Sequence, residues 1–431
     1  MIFLLFVLNT LYNDNKISIQ ASTPSMTKVQ IEFSDINRID QLPITRFIVA
    51  NSAPHCEYNI SQIDSFTPLK GTKDINTSPV HIGKPLKIKN CDVYPIVIYP
   101  SYQNNNVKEY YRAIEITLNY TPPTKELHLS PSLREVFKNL ILNFEENEDS
   151  KPLGYLIITP DSFEDEVQPL AQWKEKKGWT VEVRTLSQTG SSPTEIKDYI
   201  TNAYATWSPP PEYVLLIGDV NQLPPYSSAI PVSRTDYPYT LLEGNDFLCE
   251  LLIGRLSANN TNELNTLIAK IIGYETDPYM DDPAWFKRSL MVAANYPIDT
   301  MTTPIATKRW VRDRLFDYGF SIVDTVYYPP ISGPTEITNS VNQGVAFVNY
   351  RGGIANLDGW VYPNFDNTDV IGLSNGWKLP VVTSITCFNG NFGYNTCFGE
   401  AWVRSGSPTT PKGAIAFFGA SAATTSSRWN N

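Results

Sequence analysis

The chain has 431 residues, too many for one ordinary domain and suited to two or three. Its 42% hydrophobic and 18% charged residues exclude a disordered chain. Acidic residues exceed basic ones by 44 to 34 and no basic stripe stands out, which argues against nucleic acid as a partner.

The first residues read MIFLLFVLNTLYNDN, with an apolar run from Ile2 to Leu8. That run has the length of a signal-peptide core and is far too short to span a bilayer. It reads either as a truncated signal segment, residues 1–19, or as a buried first strand. No other run approaches membrane length. The 33 prolines, 12% aromatic residues and many Asn, Ser and Thr fit a secreted or cell-surface protein.

Residues 20–122 hold short alternating segments divided by turn residues: Val29–Phe33, Thr45–Ala50, Val93–Pro100 and Arg112–Tyr120. Strands of that length and spacing predict an all-β sandwich. The stretch 123–153 contains Pro-Pro and the acidic tract EENEDSKP, and reads as a linker.

From Gly154 the rhythm becomes strand, helix, strand, helix. Tyr155–Thr159 is an apolar run of the kind buried on both faces of a parallel sheet, Thr180–Leu186 reads as the next strand, and Tyr213–Asp219 and Glu250–Leu256 as further buried strands. Asp161 is a candidate cap for a helix carrying Phe163, Val167, Leu170 and Ala171, with Pro169 kinking it or delaying its start. Pro193 opens a second helix, and Leu264, Leu267, Ile268, Ile271 and Ile272 mark a third. The alternation then restarts with Ser289–Asn295, a helix over Ile305–Tyr318, and Ser321–Tyr328. Further strands are Val345–Gly353, Pro380–Cys387 and Gly413–Ser421. The pattern predicts two consecutive α/β subdomains, 154–284 and 285–431, after the β-rich N-terminal domain.

In such sheets sites lie beyond the carboxyl ends of the strands. That rule selects Gly218-Asp219, Arg351 to Trp360, and Cys387 to Phe392. Asp219 could line the site or bind a cation. Cys387 follows the apolar strand directly, where a nucleophile is held rigidly yet open to substrate, with backbone N–H groups near enough to hold an oxyanion. A small buried hydrophobe is the plainer alternative for any cysteine. Cys397 opens a helix, a position that lowers a thiol pKa. Cys56 and Cys91 could pair in an exported protein or stand as two buried thiols. With no CxxC spacing and three histidines in all, a zinc cluster is not expected.

The segment Ile385–Gly406, ITCFNGNFGYNTCFGEAWVRSG, followed by GAIAFFGASAATTSS, resembles the nucleophile region of the gingipain family of cysteine peptidases. That family has a strand, the catalytic Cys, an Asn-Gly pair, then Cys-Phe-x-Glu-Ala on a helix, then Gly-x-Ile-x-x-x-Gly-Ala-Ser. The segment from Tyr155 through TVEV and YVLLIGD resembles the opening of the same catalytic domain. The likeness runs from about Gly154 to the end of the chain, and the N-terminal β region is similar in position and character to the family's propeptide.

The resemblance implies a caspase-like α/β fold, a secreted cysteine endopeptidase acting on peptides or proteins, Cys387 as nucleophile and Glu250 as the carboxylate that orients the histidine. Arg351, Gly352, Asp358, Trp360, Asn389 and Gly390 then flank the binding cleft. Calcium is the one ion the family implies, with no ligands assignable. The general base is where this sequence departs: the family has Asn-Tyr-x-Gly-His-Gly, and here Asn349-Tyr350-Arg351-Gly352 runs into Gly353. The only histidines are His55, His81 and His128, all upstream of both α/β segments. An unassisted thiol has a pKa near ~8.5 and is only a few per cent thiolate at neutral pH. Asp358 could in principle move a proton, but Asp358-Gly359-Trp360 reads equally as a turn. The family's domain continues into a further helix and strand beyond the point where this sequence stops. Three readings stand: an exported cysteine endopeptidase, a pseudopeptidase that keeps the cleft for peptide binding or assembly, and a structural surface or secretion-linked protein.

Overall fold

The backbone of the computed structural model is described for residues 16–33, 44–66, 78–104, 107–125, 127, 134, 137–138, 140–144, 153–227, 233–294, 304–331, 333–352, 355–393 and 396–422. It divides into two compact units. One comprises Met1–Ser150 with Leu241–Glu250, the other Lys151–Thr240 with Leu251–Asn431. Residues before Lys16, His128 and Gly353 lie outside the described residues.

In the first unit, strands Lys16–Thr23, Met26–Glu32, Val107–Asn119 and His55–Phe66 pair antiparallel in that order. Ile44–Val49, Cys91–Ile98 and Val80–Ile82 form a second antiparallel sheet, to which Leu86–Ile88 adds. Alternation decides which residues turn inward. Val29 and Ile31 with Ile114, Ile116 and Leu118 from one sheet meet Ile44, Ile48, Ile96 and Ile98 from the other in a single cluster. Part of the segment read as a linker is packed instead. Phe137, Leu140, Ile141 and Leu142 are buried. Phe47 donates its N–H to Leu140 O (2.7 Å) and accepts from Leu142 N (2.8 Å). Apolar residues in that tract dock it before the acidic residues begin. Cys56 and Cys91 lie on strands of different sheets, and no disulfide forms. Burial pushes the Cys56 thiol up to about 11 and raises that of Cys91 as well.

The second unit holds two wholly parallel sheets. The first runs Thr180–Thr185, Gly154–Thr159, Pro211–Ile217, Leu252–Leu256. Its helix after Gly154–Thr159 starts late: Asp161–Phe163 is a single 3-10 turn and the α-helix is Gln168–Lys176, with Pro169 in its first turn. Asp161 caps no helix. Its carboxylate accepts from the Ser187 N–H (3.2 Å) and hydroxyl. Helix Pro193–Thr206 carries the expected proline at its start, with a Ser192–Glu195 capping box. Helix Thr261–Thr276 is capped by Asn260 and buries Leu264, Leu267 and Ile268 against Ile157, Leu215 and Ile217.

The second sheet runs Ile322–Tyr328, Arg288–Ala294, Phe347–Arg351, Val381–Ile385, Ala416–Gly419. Its core joins Leu290, Val292, Val348, Tyr350 and Val382 to Phe398, Trp402 and Ile337 on helices Phe398–Arg404 and Thr335–Gln343. The two sheets, read from the sequence as consecutive subdomains, share one compact unit. Helix Phe398–Arg404 accounts for this. Its Val403 side chain packs on the core of the first sheet, and its Val403 carbonyl accepts from the buried Lys270 Nζ (2.6 Å). Burial and the nearby Lys412 bring Lys270 down to about 7.

Candidate functional site

Strand Val381–Ile385 turns Val382 and Ser384 into the core and leaves alternate residues half-buried, so it ends with Cys387 half-buried at the carboxyl edge. Phe388 then takes the left-handed conformation, φ 62°, which few residues other than glycine adopt without cost. Around it the backbone closes on itself. Phe388 N–H donates to Ala422 O (3.1 Å), Asn389 N–H to Cys387 O (2.8 Å), Gly390 N–H to Ala420 O (3.0 Å) and Asn391 N–H to Phe388 O (2.8 Å). The three amides after the thiol are therefore engaged within the protein, and the oxyanion donors expected there from the sequence are not among them.

Two of the candidate residues explain themselves at this turn. Gly390 lies so near strand Ala416–Gly419 that a Cβ would stand 2.4 Å from Gly419 O. Asn389 is fully buried: its Oδ1 accepts from Ser384 Oγ (2.8 Å), and its Nδ2 donates to Asn356 O (2.7 Å) and Gly359 O (3.2 Å). Ser384 Oγ in turn accepts from Trp360 Nε1 (2.8 Å).

The ribbon on which Trp360 sits is a small antiparallel sheet, Ala355–Asn356, Gly359–Trp360 and Phe365–Asp366. Asp358 is exposed at its first turn, whose residues Leu357 and Asp358 accept through their carbonyls from Phe398 N (2.8 Å) and Asn367 N (2.9 Å). Trp360, expected at the cleft, is 1% exposed and stacks on Tyr350 at 4.2 Å and 7°, so its ring is core rather than binding surface. Gly352 follows because the Tyr350 ring crosses its Cβ position, with Tyr350 Oη donating to Tyr362 O. Arg351, in register with Ile385, is 1% exposed and lies beside Lys308. Lys308 donates to Asn349 Oδ1, and its amine is held well below the usual lysine range by burial and by Arg351.

A second loop closes on the first. Arg255, at the end of its strand, pairs bidentately with Asp236 (2.8 and 2.7 Å) and donates to Gly218 O and Leu223 O. Its guanidinium also lies 5.0 Å from the centre of the Phe392 ring in the Cys387 loop. Asp219 is committed elsewhere. One oxygen pairs with Arg404 (2.8 Å) and the other accepts from Val220 N–H (2.6 Å). Arg404 also meets Glu400 (2.6 Å), and Ser257 donates to Glu400 (2.5 Å). Burial raises the Glu400 carboxyl above its ordinary range against the pull of Arg404. Among the described residues no group of three or more His, Cys, Asp or Glu is placed to hold a metal ion.

Cys397 caps helix Phe398–Arg404, yet burial, with Glu400 beside it, pushes its thiol far up rather than down. Desolvation outweighs the helix dipole there. Glu250 belongs to the first unit and is fully buried two residues before its strand begins. Its Oε2 accepts from Leu242 N–H (2.7 Å) and Glu243 N–H (3.2 Å), and burial pushes its carboxyl up to about 7 against those bonds. Ser384 is the site residue that the sequence reading missed. A lone serine inside an apolar strand was the available signal.

The model of "Peptidase family C25" covers residues 148–431. Gingipain R2 of Porphyromonas gingivalis is 27% identical over 293 residues, 65% of this chain and 39% of that protein. Lys-gingipain of the same organism is 27% identical over 281 residues, 63% of this chain and 16% of that protein. The chain thus spans well under half the length of these relatives. The crystal structure of the Arg specific cysteine proteinase gingipain R superposes with a TM-score of 0.58 at 26% identity, covering 63% of each chain. The complex of Porphyromonas gingivalis RgpB pro- and mature domains gives 0.57 at 28%, covering 61% of this chain and 62% of that one. On the span and specificity of that match, the chain belongs to peptidase family C25.

Proposed function

We propose that this chain is a cysteine endopeptidase in which Cys387 attacks the carbonyl of a peptide bond. One observation carries the reading: in a member of this family, a half-buried thiol ends the strand next to the edge of a five-stranded parallel sheet and is presented by a closed, hydrogen-bonded turn. The sulfur forms an S–C bond as the C–N bond breaks, the proton given up by the thiol leaves with the amine, and water then splits the thioester, its OH going to the acyl group as a carboxylic acid and its remaining proton back to the sulfur. The N-terminal all-β sandwich takes the part of a propeptide, and the protein works outside the cell on peptide or protein substrates. Relatives named for arginine and for lysine are matched alike, so no side-chain preference is assigned. Asp219, the residue the sequence offered as a cation ligand, is engaged by Arg404 and the Val220 amide.

A second reading, a pseudopeptidase retaining the cleft, is favoured by one fact. Residues 151–431 contain no histidine, and Gly353 stands where the resemblance places one. Acid–base help of that kind is worth ~10²–10⁴-fold in rate. The test is cleavage of a mixed peptide library by wild type and by Cys387→Ala. Cleavage lost in Cys387→Ala supports the peptidase. Silence in wild type, with activity appearing in Gly353→His, would establish the pseudopeptidase instead.

A further inference from the structure

We infer that the buried chain Trp360–Ser384–Asn389 is the positioning device of the Cys387 thiol, an inference that rests on reading Cys387 as the nucleophile. The chain runs Trp360 Nε1–H to Ser384 Oγ (2.8 Å), Ser384 Oγ–H to Asn389 Oδ1 (2.8 Å), and Asn389 Nδ2 to the Asn356 and Gly359 carbonyls. All three side chains are at most 1% exposed. It links the strand that carries the thiol, the turn that presents it, and the ribbon that follows Arg351-Gly352.

Asn389 has no spare polar group. Beyond its side chain, its carbonyl accepts from Gly399 N–H (2.9 Å) and its own N–H goes to Cys387 O (2.8 Å). A carboxylate in its place would lose both donors, and an apolar residue would lose every side-chain bond. The arrangement is directional, which apolar packing is not. Hydrophobic contacts alone would let the turn settle in several ways, whereas three fixed donors and acceptors allow one. The left-handed Phe388, φ 62°, lies between the thiol and Asn389. A conformation of that kind is costly and persists only where its flanks are over-determined. Here one flank is the strand and the other is Asn389.

None of the three side chains touches a reacting atom in this reading. They act through the placement of Cys387 Sγ, and a shift of about 1 Å in a reacting group is enough to cost ~10²-fold in rate.

The experiment is the iodoacetamide alkylation rate of Cys387 as a function of pH, with Cys387→Ala as background and a thermal melt alongside. Ser384→Ala and Asn389→Asp are expected to change the rate at neutral pH about tenfold and to move the midpoint of its pH profile. Trp360→Phe keeps the stack on Tyr350 and removes only the donor. It is expected to shift the rate about threefold, and it reports on the network if the other two variants fail to fold. Variants that melt lower yet alkylate at the wild-type rate, with the wild-type pH profile, would reduce the chain to a packing element and overturn the inference. Wild-type cleavage that does not depend on Cys387 would sink the peptidase reading separately, leaving this comparison of rates intact.

Discussion

The carboxyl edges of the two parallel sheets solve the same problem with opposite chemistry. Beyond Pro211–Ile217 and Leu252–Leu256 the edge is charged: Asp219, Ser257 and Glu400 gather around Arg404, and Asp236 around Arg255. Beyond Phe347–Arg351 and Val381–Ile385 the buried Arg351 ends one strand, but the turn after the other is held by the neutral chain Trp360–Ser384–Asn389, and a thiol is left half-buried. Charges buried together demand complete mutual satisfaction, so the first edge is closed. Neutral hydrogen bonds can hold a turn without fixing a strong field at its tip. The first edge therefore fastens the two sheets into one unit, and the second presents a reactive atom.

The largest effect that tests this contrast is Arg404→Ala. It would leave the buried carboxylates of Asp219 and Glu400 uncompensated, which costs about 3–5 kcal/mol in comparable buried pairs. Denaturant unfolding of the variant measures it. A loss below about 1 kcal/mol would show that the charged edge does not fasten the sheets. Gly390→Ala comes next. Its new methyl would meet Gly419 O at 2.4 Å, a backbone atom that cannot swing away. The strain of such overpacking is about 1–3 kcal/mol, and the Cys387 turn rather than the charged edge should absorb it. The expected result is a modest loss of stability with a clear change in Cys387 alkylation.

The contrast between the edges was only partly legible in the sequence. Apolar runs marked the central strands of the two large sheets, because a parallel sheet covered on both faces demands them, whereas the edge strands Thr180–Thr185 and Ile322–Tyr328 carry charges and were legible only from the alternation of elements. Tyr155–Thr159 became Gly154–Thr159, and Pro380–Cys387 became Val381–Ile385. Cys387 was legible because strand ends are where sites lie. Trp360 was misplaced because a Gly-Trp pair after a turn looks the same whether the ring faces solvent or Tyr350. Ser384 stood out only as a lone serine in its strand, and its role went unread because its partners are 5 and 24 residues away. Helix Thr335–Gln343 carries few apolar residues and went unread, although Ile337 and Val341 bury completely. Long-range pairing fixed these features, and neither periodicity nor turn chemistry encodes it.

The smallest effect belongs to a charged cluster on the side of the first sheet, where satisfaction is shared with solvent. Glu275 accepts from Lys174 Nζ, Lys177 Nζ and Trp173 Nε1, each at 2.7 Å, with its side chain 26% exposed. Burial pushes this carboxyl up, but the three donors together win and bring it down to about 2 from an ordinary 4.5. A folded pKa below the unfolded one means that the carboxylate stabilises the protein above pH 4.5. That contribution is lost as pH falls from 4.5 through 2. Glu275→Gln should therefore cost about 1 kcal/mol at neutral pH, less in high salt, and the gap to wild type should close as the pH falls through that window. Urea midpoints of the two proteins across pH check it. A gap that stays constant at low pH would mean that Glu275 acts by packing alone, and the distinction between buried and shared charge would lose its clearest example.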